Sequence, residues 1–288
     1  MINAVLLLSM ILLYNFQSVF CKLYTQSRDQ RGNLHFSVIY GLTTGIVTLF
    51  IASFSYRPSL LTFCLGLTNA VILLLYNTSL QKASSLGSYA FMMVCSLSGA
   101  ILLPMFYEVL FQGQVMAWYR IAGIAAIIAA GVLMNLEGFH GKKTGKFLAW
   151  TALLSVSNGM YGVIMNLQQE KMAFAQRNEM IITTFLGMSV LTLISGIIKD
   201  RKPFLEDFRM EKRSWIYLLA SGICAVTAVN LLLYSLQCIN PITVHAVNNG
   251  GLLIVSAVMA VFLFKEKLKW NSILGVAVSL MGVIMLTV

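Results

Sequence analysis

The chain is 288 residues long, 58% hydrophobic and only 10% charged, with a mean hydropathy of +0.81. Soluble domains carry about 25% charged residues, so this composition excludes a soluble globular fold. A net charge of +10 would suggest nucleic acid in a soluble protein, but here the lysines and arginines lie almost entirely between apolar runs, where they set membrane orientation.

Ten apolar runs are predicted as helices, at 2–20, 34–54, 59–80, 86–106, 117–136, 147–167, 180–198, 215–237, 242–264 and 271–288. Each approaches the roughly 18–20 residues needed to cross a hydrocarbon core of about 30 Å. The first has no basic segment ahead of its apolar core, so it reads as a span rather than a cleavable signal. It holds Asn15 and Gln17 and closes on YNFQSVFCK (14–22). The third holds Asn69 and Asn77 and closes on LLLYNTSLQ (73–81). The fourth, within GSYAFMMVCSLSGAILLPMF, carries Tyr89, Met92, Met93 and Ser96 and runs into Glu108. After the fifth comes a polar, basic linker, GFHGKKTGK.

The sixth run, in SNGMYGVIMNLQQEK (157–171), carries Asn158 and Tyr161. The eighth holds Asn230 and Tyr234 and closes on LLLYSLQ (231–237), nearly the phrase that closes the third. The ninth, TVHAVNNGGLLIVSAVMAVFLF, places His245, Asn248 and Asn249 at i, i+3 and i+4, on one helical face, and runs into Glu266. Trp118, Gly123 and Gly131 are then echoed in order by Trp270, Gly275 and Gly282. The shared order predicts two five-span halves, 1–138 and 147–288, joined by a linker at 139–146. Because five is odd, the second copy must insert inverted, a plan that recurs in secondary transporters. The fold expected is therefore an all-α integral membrane protein of ten transmembrane helices in two inverted five-helix repeats. The repeated phrases read as markers of one helix end in two copies rather than as binding motifs.

YNFQSVFCK, the sixth-run segment and FKEKLKWNSILGVAVSLMGVIML (264–286) together resemble the drug/metabolite transporter superfamily, specifically its EamA-type members. The first-half counterpart of the last motif, FYEVLFQGQVMAWYRIAG (106–123), is longer than the family pattern. The resemblance implies a ten-helix transporter that moves amino acids or other small metabolites by alternating access.

Polar groups inside a bilayer are costly unless paired or facing water, so they are the candidate site. The residues proposed to bind substrate are His245, Asn248, Asn249, Tyr89, Met92, Met93, Asn15, Asn158, Tyr161 and Asn230. Aligning the halves on SLQ pairs Tyr89 with His245, and Met92 and Met93 with Asn248 and Asn249. Gly250 and Gly251 follow, and leave room for a backbone or ligand to approach. Gly41/Gly45 and Gly159/Gly162 read as small-residue spacings for helix packing. Glu108 and Glu266, at span ends, predict a cap or loop contact.

No Asp or Glu falls near the middle of a span, which weakens proton-coupled exchange of organic cations. Nor does a midspan Lys or Arg, which weakens carriage of phosphorylated solutes. A neutral or zwitterionic solute fits best, with H+ or Na+ as the coupling ion if there is one. One midspan His without a carboxylate supplies no catalytic or metal set, so neither an enzyme nor a cofactor or metal is expected. The five cysteines are scattered and read as packing residues. The reading is an exporter in the plasma membrane, monomer or homodimer, with lipid and a small molecule as partners. The alternative is a channel-like or transport-inactive membrane protein.

Of the twenty lysines and arginines, all but Arg57, Arg120, Lys171 and Arg177 fall in the odd-numbered connections. The positive-inside rule then places those connections in the cytoplasm and both termini outside, opposite to the usual family orientation.

Overall fold

The structure, a computed structural model, describes residues 2–27, 33–111, 113, 117–135, 142–172, 175–206, 211–238, 241–267 and 269–287. Among them are ten α-helices and no strand. They are α1 (Ile2–Ser27), α2 (Asn33–Ile51), α3 (Leu60–Leu86), α4 (Tyr89–Phe111) and α5 (Trp118–Asn135), followed by α6 (Lys142–Met172), α7 (Arg177–Glu206), α8 (Lys212–Cys238), α9 (Pro241–Phe262) and α10 (Trp270–Thr287). Every predicted run is a helix. In hydrocarbon no water can satisfy a peptide group, so a chain this apolar must pair its backbone within each segment. Seven helices contain stretches long and apolar enough to cross a membrane, and α5, α9 and α10 contain shorter apolar stretches.

The helices overrun the apolar runs at several ends. The basic stretch at the end of the expected linker is helical from Lys142, because α6 begins there and not at residue 147. Lysines are good helix formers, and hydropathy reads the membrane-embedded length rather than the helical length. At α3 the start is set by Ser59, whose hydroxyl accepts the Thr62 N–H at 3.2 Å, and the end by Gly87, whose N–H reaches Ala83 O.

The outer surface is apolar and the interior partly polar, the reverse of a soluble protein. Leu60, Phe111, Trp118, Ile198, Phe262 and Trp270 are exposed, several of them at helix ends where aromatic rings suit a membrane interface. Asn15, Asn69, Asn77, Gln81 and Ser189 are buried. Hydrogen bonds between helices do the joining that hydrophobicity cannot do in lipid. Ser221 Oγ donates to Gln17 O at 3.1 Å, linking α8 to α1. Ser189 Oγ donates to Val38 O at 3.0 Å, linking α7 to α2. Small residues permit close crossings: a Cβ on Gly159 of α6 would overlap the carbonyl of Gly99 on α4, and one on Gly41 would lie 2.6 Å from Phe185 O on α7.

The main helix pairings are unchanged when α1–α5 are exchanged with α6–α10. Thus α1·α8 corresponds to α3·α6, α1·α9 to α4·α6 and α2·α8 to α3·α7, while α2·α7, α4·α9 and α5·α10 map onto themselves. This is the packing of an inverted duplication, and it leaves α1, α3, α4, α6, α8 and α9 around a common centre.

Candidate functional site: a central cavity

A cavity of about 230 Å³ lies at that centre. It is lined by α1 (Tyr14, Gln17, Ser18), α2 (Tyr40), α3 (Leu73, Tyr76) and α4 (Met93, Ser96, Leu97, Ala100). From the second half come α6 (Asn158, Tyr161, Gly162), α7 (Phe185), α8 (Val229, Leu232) and α9 (Asn248, Asn249, Leu252). Most of these residues fall near the middle of their helices, with Met93 and Ser96 nearer the start of α4.

The lining repeats the duplication position by position. Tyr14, Gln17 and Ser18 correspond to Asn158, Tyr161 and Gly162 at one constant shift in residue number. Leu73, Tyr76, Met93 and Ser96 correspond to Val229, Leu232, Asn249 and Leu252 at another, the shift that SLQ anchors. The second set differs from the LLLY match by two residues, and Tyr234, which the phrase itself would pair with Tyr76, is exposed. The repeated phrase is thus more than a marker: its Leu73, Tyr76 and Leu232 line the cavity.

Among the described residues no charged side chain lines the cavity. Its polar groups are four tyrosines, four amides and the hydroxyls of Ser18 and Ser96. Gln17 Nε2 donates to Tyr40 Oη at 2.8 Å. Asn158 Nδ2 donates to both Ser96 O (2.9 Å) and Ser96 Oγ (3.0 Å), tying α6 to α4. Asn248 is 8% exposed and its Oδ1 has no hydrogen-bond partner among the described residues. Pro104 inside α4 has no N–H, so Ala100 O cannot receive the usual bond from that position.

Five of the ten residues singled out from sequence come together here: Asn248, Asn249, Met93, Asn158 and Tyr161. Four do not. Asn15 Nδ2 turns back to Ile11 O at 3.0 Å, and Asn230 Nδ2 to Val226 O at 2.8 Å, each donating to its own helix. Met92 Sδ accepts from Ser84 Oγ at 3.3 Å. Tyr89 is buried against the Phe264 ring, centroids 5.0 Å apart. The tenth, His245, is placed on α9, but its side chain lies outside the described residues, as does that of Glu108. Gly250 and Gly251 admit neighbours rather than a ligand, Leu280 on α10 and Ile11 on α1. Tyr14, Tyr40, Tyr76 and Phe185 were not foreseen. The signal that would have found one of them is the constant shift, which carries Asn158 back to Tyr14.

The packing beside the cavity differs towards its two faces. Where α1 ends and α4 begins, Lys22 Nζ and Glu266 Oε1 form an ion pair at 2.7 Å, with side chains 4% and 17% exposed. Lys22 Nζ also lies 4.1 Å from the Phe264 ring centroid and 5.1 Å from that of Tyr89. Towards the other face, Leu7, Met10 and Val244 form an apolar cluster with Tyr14, Leu231 and Leu232.

No curated protein matches the chain in sequence. One solved protein crystal structure superposes with a TM-score of 0.67, covering 99% of this chain and 98% of its own at 14% identity, a likeness of fold. The model of the EamA-like transporter family matches residues 145–288, the whole of the second five-helix half. With ten apolar helices packed as an inverted duplication around a central cavity, the chain belongs to the EamA-like transporter family of the drug/metabolite transporter superfamily.

Proposed function

We propose that this membrane transporter is a secondary transporter of small neutral or zwitterionic metabolites, amino acids foremost, working by alternating access as an exporter in the plasma membrane. The observation that carries the reading is the central cavity built from both halves, whose described lining is amide- and tyrosine-rich and holds no charged side chain. Its volume is below the roughly 300–1,000 Å³ of drug-sized pockets, which favours a small metabolite. The functional units are the two halves, 1–138 and 147–288, rocking about the cavity that they share. The charge bias orients the chain with the ion-paired face in the cytoplasm and both termini outside.

Saturable counterflow in proteoliposomes tests the reading: an unlabelled amino acid inside the vesicles accelerates uptake of the labelled one. Uptake without trans-stimulation would instead favour a channel. A thermal-stabilisation screen of amino acids and metabolites on detergent-purified protein identifies the solute to use.

A further inference from the structure

The Lys22–Glu266 pair holds more than two charges. Besides Lys22 Nζ, the Glu266 carboxylate receives the Tyr89 backbone N–H on Oε1 at 2.7 Å and the Ser88 hydroxyl on Oε2 at 2.9 Å. Tyr89 is the first residue of α4, so the carboxylate sits at a helix N-terminus, where backbone N–H groups and the helix dipole favour an anion. A buried ammonium, a hydroxyl and a helix-end N–H converging on two oxygens form a built carboxylate site, and a carboxylate occupies it.

The occupant and the site belong to different parts of the chain. The donors are fixed on α1 and at the start of α4, whereas Glu266 is carried by the short connection between α9 and α10. In that connection Lys265 adopts φ +51°, a left-handed conformation that a non-glycine residue rarely takes. One helical turn, about 6 Å, separates Lys22 from Ser18 and Tyr89 from Met93, and both Ser18 and Met93 line the cavity. The site is therefore the step next to the cavity on this face.

We propose that Lys22, Ser88 and the Tyr89 N–H form a carboxylate receptor that Glu266 holds shut and that a carboxylate of the transported solute occupies when Glu266 withdraws. This rests on the transporter reading above and narrows its substrate class to solutes bearing a carboxylate, zwitterionic amino acids included. Withdrawal of Glu266 without a replacement would leave Lys22, whose side chain is 4% exposed, as an uncompensated charge beside the Tyr89 ring, which is strongly disfavoured. A solute carboxylate removes that obstacle, so opening is tied to cargo. The solute's ammonium is left for uncharged acceptors of the cavity such as Asn248 Oδ1. Towards the other face the described residues pack an apolar cluster at Leu7, Met10 and Val244 instead of such a receptor.

The test uses the purified full chain and acetate as the probe, read as thermal unfolding in detergent. Glu266→Ala is expected to unfold at lower temperature than the wild type and to recover by about 2–4 °C, saturably, with sodium acetate. Equal concentrations of sodium chloride or acetamide are expected to give no recovery, and the double variant Lys22→Gln/Glu266→Ala no response to acetate. Glu266→Gln, which keeps the side chain's shape, serves if the alanine variant does not fold; acetate is expected to stabilise it and not the wild type. Acetate that stabilises neither single variant, or stabilises the double variant equally, would overturn the receptor. Counterflow is measured separately, so a receptor that answers to acetate in a protein without counterflow would fault the transporter reading and not the receptor.

Discussion

At the scale of single residues, the amides divide by where their hydrogen bonds go. Asn15 and Asn230 bond back to their own helices, whereas Asn158 bridges two helices and Asn248 Oδ1 has no partner among the described residues. Asn248→Ala and Asn249→Ala are each expected to weaken solute binding about ten-fold, since a lost hydrogen bond costs about 1–3 kcal/mol. The check is the solute concentration needed for half-maximal thermal stabilisation; unchanged binding and transport in both variants would remove these residues from the site. Asn158→Ala is expected to lower stability by about 1–3 kcal/mol, because it leaves the Ser96 groups without their α6 partner. Its unfolding midpoint in detergent, compared with wild type, measures this. Sequence alone could list these amides but could not sort them, because all lie in apolar helices and differ only in the direction each faces. Tyr14, Tyr40 and Tyr76 escaped notice for the same reason: tyrosine packs equally well in a core, at an interface or around a ligand.

Helices in this protein are joined by close crossings as much as by polar bonds. At the α4·α6 crossing Gly159 sits against the Gly99 carbonyl, and at α2·α7 Gly41 sits against Phe185 O. Gly159→Val is expected to destabilise by at least about 1–3 kcal/mol, as overpacking forces the backbones apart. Gly145→Ala, also on α6 but with nothing within 4 Å of the added carbon, is expected to be neutral or mildly stabilising. Thermal unfolding of the two variants side by side separates crowding from helix propensity. These spacings were legible beforehand as packing motifs, since small residues a turn apart suit nothing else in lipid so well. Helix ends were less legible: α6 extends back through Lys142, beyond the apolar run that announced it.

For the whole molecule, the charge distribution supports the proposed orientation. A cytoplasm-dependent reporter fused after Val288 is expected to be inactive, and one that requires the exterior active, if the odd-numbered connections face the cytoplasm. The opposite pattern would return the chain to the usual family sense and move the Lys22–Glu266 pair to the outer face. What the sequence determined by itself is whatever depends on local composition and period. Length and hydropathy set ten helices, repeated phrases set two halves, and the odd number of helices in each half requires inversion. Tertiary structure alone decided which side chains share the cavity and which cation meets which carboxylate. Lys22 and Glu266 stand 244 residues apart, and Glu266 reads in sequence as an ordinary loop glutamate. Only the packing of α1, α4 and the α9–α10 connection brings them within 2.7 Å, because side-chain direction and long-range proximity follow from how helices pack and not from any one helix.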